Sequence, residues 1–162
     1  MVQIKYTCSF TQGKDIIPNS WILLDTCSTS NCCNNPNLVH NLRKCDDEEC
    51  LTVHTNGGTM TCTLDGDLSG FGTIYYNPDG IANILSLAQV EAQGRRITYD
   101  SWDGGTFHVH NPNSGKIVDF KQLPSGLYAH DTQAKKGEEK KGLSFVETVK
   151  ENKKAFSSRQ FI

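Results

Sequence analysis

The rhythm of apolar and polar positions changes several times along the chain. Val2, Ile4 and Tyr6 alternate with polar residues, the pattern of a half-buried strand. A polar loop runs to Pro18, and Trp21, Ile22, Leu23 and Leu24 then follow one another without a polar face. That run predicts a strand over 20–25 buried on both sides, ending on Asp25. Residues 28–50 are rich in Asn, Ser and Asp, with Leu38, Val39 and Leu42 as apolar anchors, and read as loops with one short helical turn.

The stretch "LTVHTNGGTMTCTL" carries the clearest local signal. With Asn56-Gly57 as a two-residue turn, Thr55 pairs with Gly58, His54 with Thr59, Val53 with Met60, Thr52 with Thr61 and Leu51 with Cys62. This register puts Leu51, Val53, Met60 and Cys62 on one face and polar side chains on the other, and Asn-Gly suits the type I′ turn of such hairpins. Further on, "GFGTIYY" predicts a strand closed by Asn-Pro-Asp-Gly, and "IANIL" is a second short apolar run. Ser86 with Gln89, and Gly94 beyond, predict a capped helix over about 87–93. "RITYDS", "TFHVH" and "KIVDF", separated by turn residues, add short strands, and the body ends near "GLYAHD". The expected fold class is mainly β, a barrel or sandwich with one short helix.

Charge divides the chain. From residue 135 onward eight Lys/Arg face four acids, although the whole chain carries −2, so an acidic body precedes a basic tail. The organisation that follows is a domain over 1–131, a flexible linker over 132–142 ("QAKKGEEKKG" at its centre) and a partial helical segment over 143–162. Ser144 with Glu147 caps a helix over about 145–156, and Ser157 with Gln160 starts another that the chain end cuts, as in a fragment of a longer polyprotein. No aromatic residue is interleaved with the tail lysines, which favours a solvated linker and helix face over a nucleic-acid site. No apolar run reaches transmembrane length, and the N-terminus lacks the layout of a signal peptide, so no membrane association and a cytoplasmic location are expected. Seven cysteines (8, 27, 32, 33, 45, 50 and 62) fall in the first 62 residues; the odd number and absent export signal point to reduced thiols.

A carboxylate at the end of a buried strand, followed by the small hydroxyl residues of "DTCSTS", suits an aspartic protease. That reaction uses two carboxylates sharing one proton, one acting as base on a water and the other as acid toward the peptide carbonyl. Pepsin-like chains contain two such strands. Here "LLDT" occurs once, so a second copy of the chain must supply the second carboxylate across a two-fold axis. The bland alternative is an aspartate that starts a turn. A cleaving dimer also needs a cover over an extended peptide, and the hairpin around His54, Thr55, Asn56, Gly57 and Gly58 is placed to supply it.

The order of "WILLDT", the Asn-Gly hairpin, "IANILSLAQVEAQG" and "GLYAHD" resembles the protease segment of copia-type retrotransposon polyproteins. In that family a Leu-Asp-Ser/Thr-Gly-Ala-Ser strand is followed by a short hairpin, an Asn-Ile/Leu-Leu/Met-Ser-Val/Leu segment and a Gly-Leu-Tyr stretch leading into the pre-integrase region. The tail "FVETVKENKKAFSSRQ" looks like the start of that region, and the resemblance covers roughly 18–162. It implies a retropepsin-like closed β-barrel of the acid-protease type, a homodimer, and cleavage of its own polyprotein in the cytoplasm or within virus-like particles. By resemblance Asp25 is the catalytic carboxylate and Thr26 the hydroxyl that locks the dimer base, in an active-site loop with Cys27, Ser28 and Thr29. Neither cofactor nor metal is implied. The family has Gly where Cys27 stands, and a side chain there must be accommodated beside the partner backbone.

Three other readings compete. The protease fold retained without activity would leave a structural or interaction module. Cys32, Asn35, His40 and Cys45 nearly match a zinc-knuckle spacing within the cluster that also holds Cys27, Cys33 and Cys50, although asparagine is not a normal zinc ligand. Cys27 with His54, His108, His110 or His130 as base would make a cysteine nucleophile. His108 and His110 share a strand face, as a metal pair or, more simply, as surface polar positions.

Overall fold

The computed structural model describes residues 4–6, 17–46, 50–55, 58–102 and 104–134. The turn assigned to Asn56-Gly57, the polar loop before Ile17, the linker from 135 and the helices expected at 145–156 and after Ser157 lie outside the described residues.

Among the described residues the chain is mainly β. In chain order the elements are β1 (Ile4–Tyr6), β2 (Trp21–Asp25), β3 (Cys32–Cys33), β4 (Val39–Lys44), β5 (Leu51–Thr55), β6 (Gly58–Cys62), β7 (Leu64–Leu68), β8 (Gly72–Tyr76) and β9 (Asn83–Ser86). The helix α1 (Leu87–Ala92) and β10 (Arg96–Asp100), β11 (Thr106–His110), β12 (Ile117–Gln122) and β13 (Tyr128–Asp131) complete them. The main sheet runs β10-β11-β12-β13-β2-β9-β3-β8-β7-β4, an open order among the described residues, and β1-β5-β6 forms a smaller sheet.

Strand β2 lies near the middle of the main sheet, antiparallel to β13 and parallel to β9. Ile22 and Leu24 enter the larger core with Leu85, Val90, Val109 and Phe120, whereas Leu23 joins Ala82, Ile84 and Ala129 on the other side. Both faces of β2 are therefore covered, which is why its sequence has no polar stripe. Each such fully buried aliphatic side chain contributes about 1.5–3 kcal/mol relative to an exposed one.

The hairpin forms in the register its alternation predicts, from Leu51↔Cys62 to Thr55↔Gly58. The helix also falls where its cap residues place it: Ser86 Oγ accepts the Gln89 amide, and Val90 is fully buried. The loop reading of 28–50 needs correction, because β3 and β4 lie within it. Strand β3 has two residues and borrows its place from its neighbours, pairing in parallel with β8 and touching β9 through Cys32↔Ile84. Strand β4 is an edge strand with Val39 buried and the remainder exposed; its register shifts between His40 and Arg43, where Asn41 has φ 51°. A bulge at an exposed edge erases the two-residue period. Strand β7 also gives no apolar alternation, since Gly66 stands at its centre and packs against Val39 and the His40 carbonyl.

Candidate active site

Asp25 closes β2 opposite Ser86 in the parallel register with β9. The residue is 5 % exposed. Its Oδ1 accepts the Cys27 backbone N–H at 2.9 Å, a charge-assisted bond that turns the chain out of the strand. Its Oδ2 is buried with no hydrogen-bond partner among the described residues. A buried carboxylate oxygen left unmet is costly, so an unpaired one calls for a role.

The loop beyond is fastened from below by β9 and α1. Ser86, itself fully buried, donates from Oγ to the Ser28 carbonyl at 2.6 Å, and its own N–H donates to Asn31 Oδ1 at 2.9 Å. Gln89 donates from Nε2 to the Thr29 carbonyl at 3.2 Å. The capping box is thus half used locally: Ser86 caps the helix, whereas the Gln89 side chain reaches across to the loop. With its backbone held in this way, the loop buries Ser28 and exposes Thr26, Cys27 and Thr29. The Thr26 hydroxyl lies 3.8 Å from Cys27 Sγ.

Asn83 is the residue that sequence reasoning missed. It is 1 % exposed at the start of β9. Its Oδ1 accepts from Cys33 Sγ at 2.9 Å and from the Asn34 and Asn35 amides, each at 3.1 Å. Its Nδ2 donates to the Asn19 and Trp21 carbonyls, each at 2.8 Å. One side chain thereby ties the entry to β2, the exit from β3 and the start of β9. An asparagine opening an otherwise apolar run was the available signal.

The chain matches no protein-family model, and no curated protein is significantly similar to it.

His54 and Gly58 belong to the hairpin, which packs on the main sheet through Leu51, Val53 and Cys62 against Cys32 and Tyr75. His54 Nδ1 lies 3.1 Å from Thr59 Oγ1, and Gly58 has φ +130° with open space where a Cβ would stand. For Thr55 the structure describes the backbone, which pairs with Gly58. The hairpin and the Asp25 loop are thus attached to the sheet at different places.

The near-knuckle residues do not converge. Cys32 faces Cys62, and Asn35 uses its amide on the Asn19 carbonyl and the Asn37 N–H. Among the described residues no group of three or more His, Cys, Asp or Glu side chains is arranged to hold a metal ion. The histidines considered as bases for Cys27 are engaged elsewhere: His54 with Thr59, His108 with Asp119 at 2.7 Å, His110 with Thr98 at 3.3 Å and His130 with the Asp119 carbonyl at 3.1 Å. No helix among the described residues is long and apolar enough to cross a membrane.

Proposed function

We propose that the chain is an aspartic endopeptidase of retropepsin-like plan, working as a homodimer in which two Asp25 carboxylates flank one water. The observation that carries this reading is the Asp25 carboxylate, buried, fixed through Oδ1 by the Cys27 amide and, among the described residues, unpartnered at Oδ2. A carboxylate held in one orientation with a free oxygen is what a shared-proton pair requires of each partner. The fastening of its loop by Ser86 and Gln89 supports the reading, because catalytic groups must be held against β9 and α1 without drifting. Exposed Thr26 and Cys27 stand beside it as the surface that a second copy would cover.

In the proposed reaction one Asp25 removes a proton from the water, which attacks the scissile carbonyl. The partner's Asp25, protonated, hydrogen-bonds the carbonyl oxygen and stabilises the charge forming there. The proton on the first carboxylate then passes to the leaving amine, and the shared proton is restored. The hairpin β5–β6 would close over the extended substrate, which is a segment of the chain's own polyprotein.

The test is cleavage of an unfolded polypeptide by the purified chain, with and without a pepstatin-like inhibitor, alongside Asp25→Asn and Cys27→Ser. Cleavage that pepstatin and Asp25→Asn abolish, and that thiol alkylation spares, supports the proposal. Cleavage blocked by alkylation instead would assign the chemistry to Cys27. A wild type that sediments as a dimer and cleaves nothing would make the chain a structural module that keeps the fold without the activity.

A further inference from the structure

We propose that Cys32 and Cys62 are a reversible dithiol–disulfide pair that locks the β5–β6 hairpin onto the main sheet. The two sulfurs lie 3.6 Å apart, on β3 and on the last residue of β6, and belong to residues thirty apart in sequence. Both are free thiols. A disulfide needs about 2.05 Å between sulfurs, so closure draws the two together by roughly 1.5 Å, within the reach of side-chain rotation and a slight strand shift.

The position of the pair gives the bond its consequence. Among the described residues, the hairpin's buried side chains Leu51, Val53 and Cys62 pack with Cys32 and Tyr75 of the main sheet and with Met60 of the hairpin itself. Cys62 is fully buried and Cys32 partly so. Opening of the hairpin from the sheet is what exposes the sulfurs to a small oxidant. Once formed, the bond replaces a few apolar contacts by a covalent tether at the hairpin base.

The other described thiols are placed differently, although Cys45 has Cys50 and Cys62 as neighbours. Cys33 donates to Asn83 Oδ1, and burial pushes its thiol up to about 11. Burial, together with the Asp65 carboxylate, pushes Cys45 up to about 11. Cys27 is exposed beside Thr26. Within the pair, the contact with Cys32 and a hydrogen bond with Asn77 lower the Cys62 thiol against the effect of burial, and the contact with Cys62 together with burial raises Cys32.

The oxidant is a small-molecule disulfide of the oxidised glutathione class. The thiolate of one cysteine of the pair attacks one of its sulfurs, forming a mixed disulfide and expelling one thiolate, which takes up a proton. The other cysteine then loses its proton and attacks the Sγ of the first, expelling the second small thiol. Two protein thiols and one small disulfide give one protein disulfide and two small thiols, so atoms and electrons balance. The lock itself follows from the geometry; an effect on peptide cleavage rests in addition on the protease reading.

The experiment treats the purified full chain with oxidised glutathione or with dithiothreitol, caps free thiols with N-ethylmaleimide, and maps the linked peptides by mass spectrometry. Amide hydrogen exchange over 51–55 and 58–62 is followed in both forms. Expected are a 32–62 link, loss of two thiols per chain, reversal by dithiothreitol, and exchange at least tenfold slower in the oxidised hairpin. Cys32→Ser and Cys62→Ser should each prevent the link, and Cys27→Ser should leave it intact. Retention of all thiols, a link between other cysteines, or a 32–62 link with unchanged hairpin exchange overturns the proposal. None of these readouts uses peptide cleavage, so an inactive protein would leave the test decisive.

Discussion

Asn83 offers the most direct test of how the candidate site is held. Replacing it with alanine strips an acceptor from the Asn34 and Asn35 amides and the Cys33 thiol, and a donor from the Asn19 and Trp21 carbonyls. A buried polar group left without its partner costs about 1–3 kcal/mol. Counting the two amides alone gives about 2–6 kcal/mol, and with water entering part of the gap we expect ~4 kcal/mol. Against a domain stability of about 5–15 kcal/mol, that is a large fraction of the whole. Urea unfolding followed by tryptophan fluorescence should show a midpoint lowered by about 2 M, for a slope of about 2 kcal/mol per molar. Asn83→Asp sharpens the test, because it keeps the acceptor for three donors but turns an oxygen toward the Asn19 and Trp21 carbonyls. The three donors favour the charged form, but full burial and two carbonyl oxygens facing the other oxygen oppose it, and we expect these to prevail and raise the folded-state pKa of the new carboxyl above its unfolded value of about 3.9. Stability relative to wild type is then best below pH ~4 and is lost as pH rises through the raised folded value. A loss under about 1 kcal/mol for Asn83→Ala, or an Asn83→Asp penalty that does not change with pH, would refute the role assigned to this side chain.

Two further substitutions probe the supports on either side. Ser86→Ala removes both the helix cap on Gln89 and the donor to the Ser28 carbonyl; a loss of about 2–3 kcal/mol is expected, with faster amide exchange in α1, and unchanged exchange would count against it. Gly66→Ala would set a Cβ 2.4 Å from Val39 Cγ1 and 2.7 Å from the His40 carbonyl oxygen, so a cost of about 1–3 kcal/mol and a lower melting temperature by circular dichroism are expected, and an unaltered melting temperature would show that β4 yields freely.

The parts of the fold that could be read from sequence are those whose cause is local. An apolar run without a polar face became the doubly covered strand β2, and the Asn-Gly hairpin fixed its own register through the alternation of Leu51, Val53, Met60 and Cys62. Ser86 announced the helix because an N-cap acts within one turn. Strands β3, β4 and β7 are held instead by their neighbours. Two residues of β3 have no period to display, the bulge after His40 breaks that of β4, and β7 exchanges a side chain at Gly66 for close approach to β4.

The candidate site divides along the same line. Asp25 is legible because a carboxylate at the end of a buried strand is chemically conspicuous, and its Asx bond to Cys27 is a two-residue event. Its supports are not legible, since Asn83 reaches Cys33 across fifty residues and Ser86 reaches Ser28 across fifty-eight. Both supports sit on β9, and β9 is the strand that runs parallel to β2. A parallel neighbour brings its own start beside the start of β2 and its end beside the end. Asn83 consequently meets the Trp21 carbonyl, and Ser86 meets the loop after Asp25. An antiparallel partner would have exchanged the two ends and set Asn83 beside the aspartate. The orientation of one strand pair therefore decides that, of the two polar side chains on β9, the Ser86 hydroxyl and not the Asn83 amide meets the loop after Asp25.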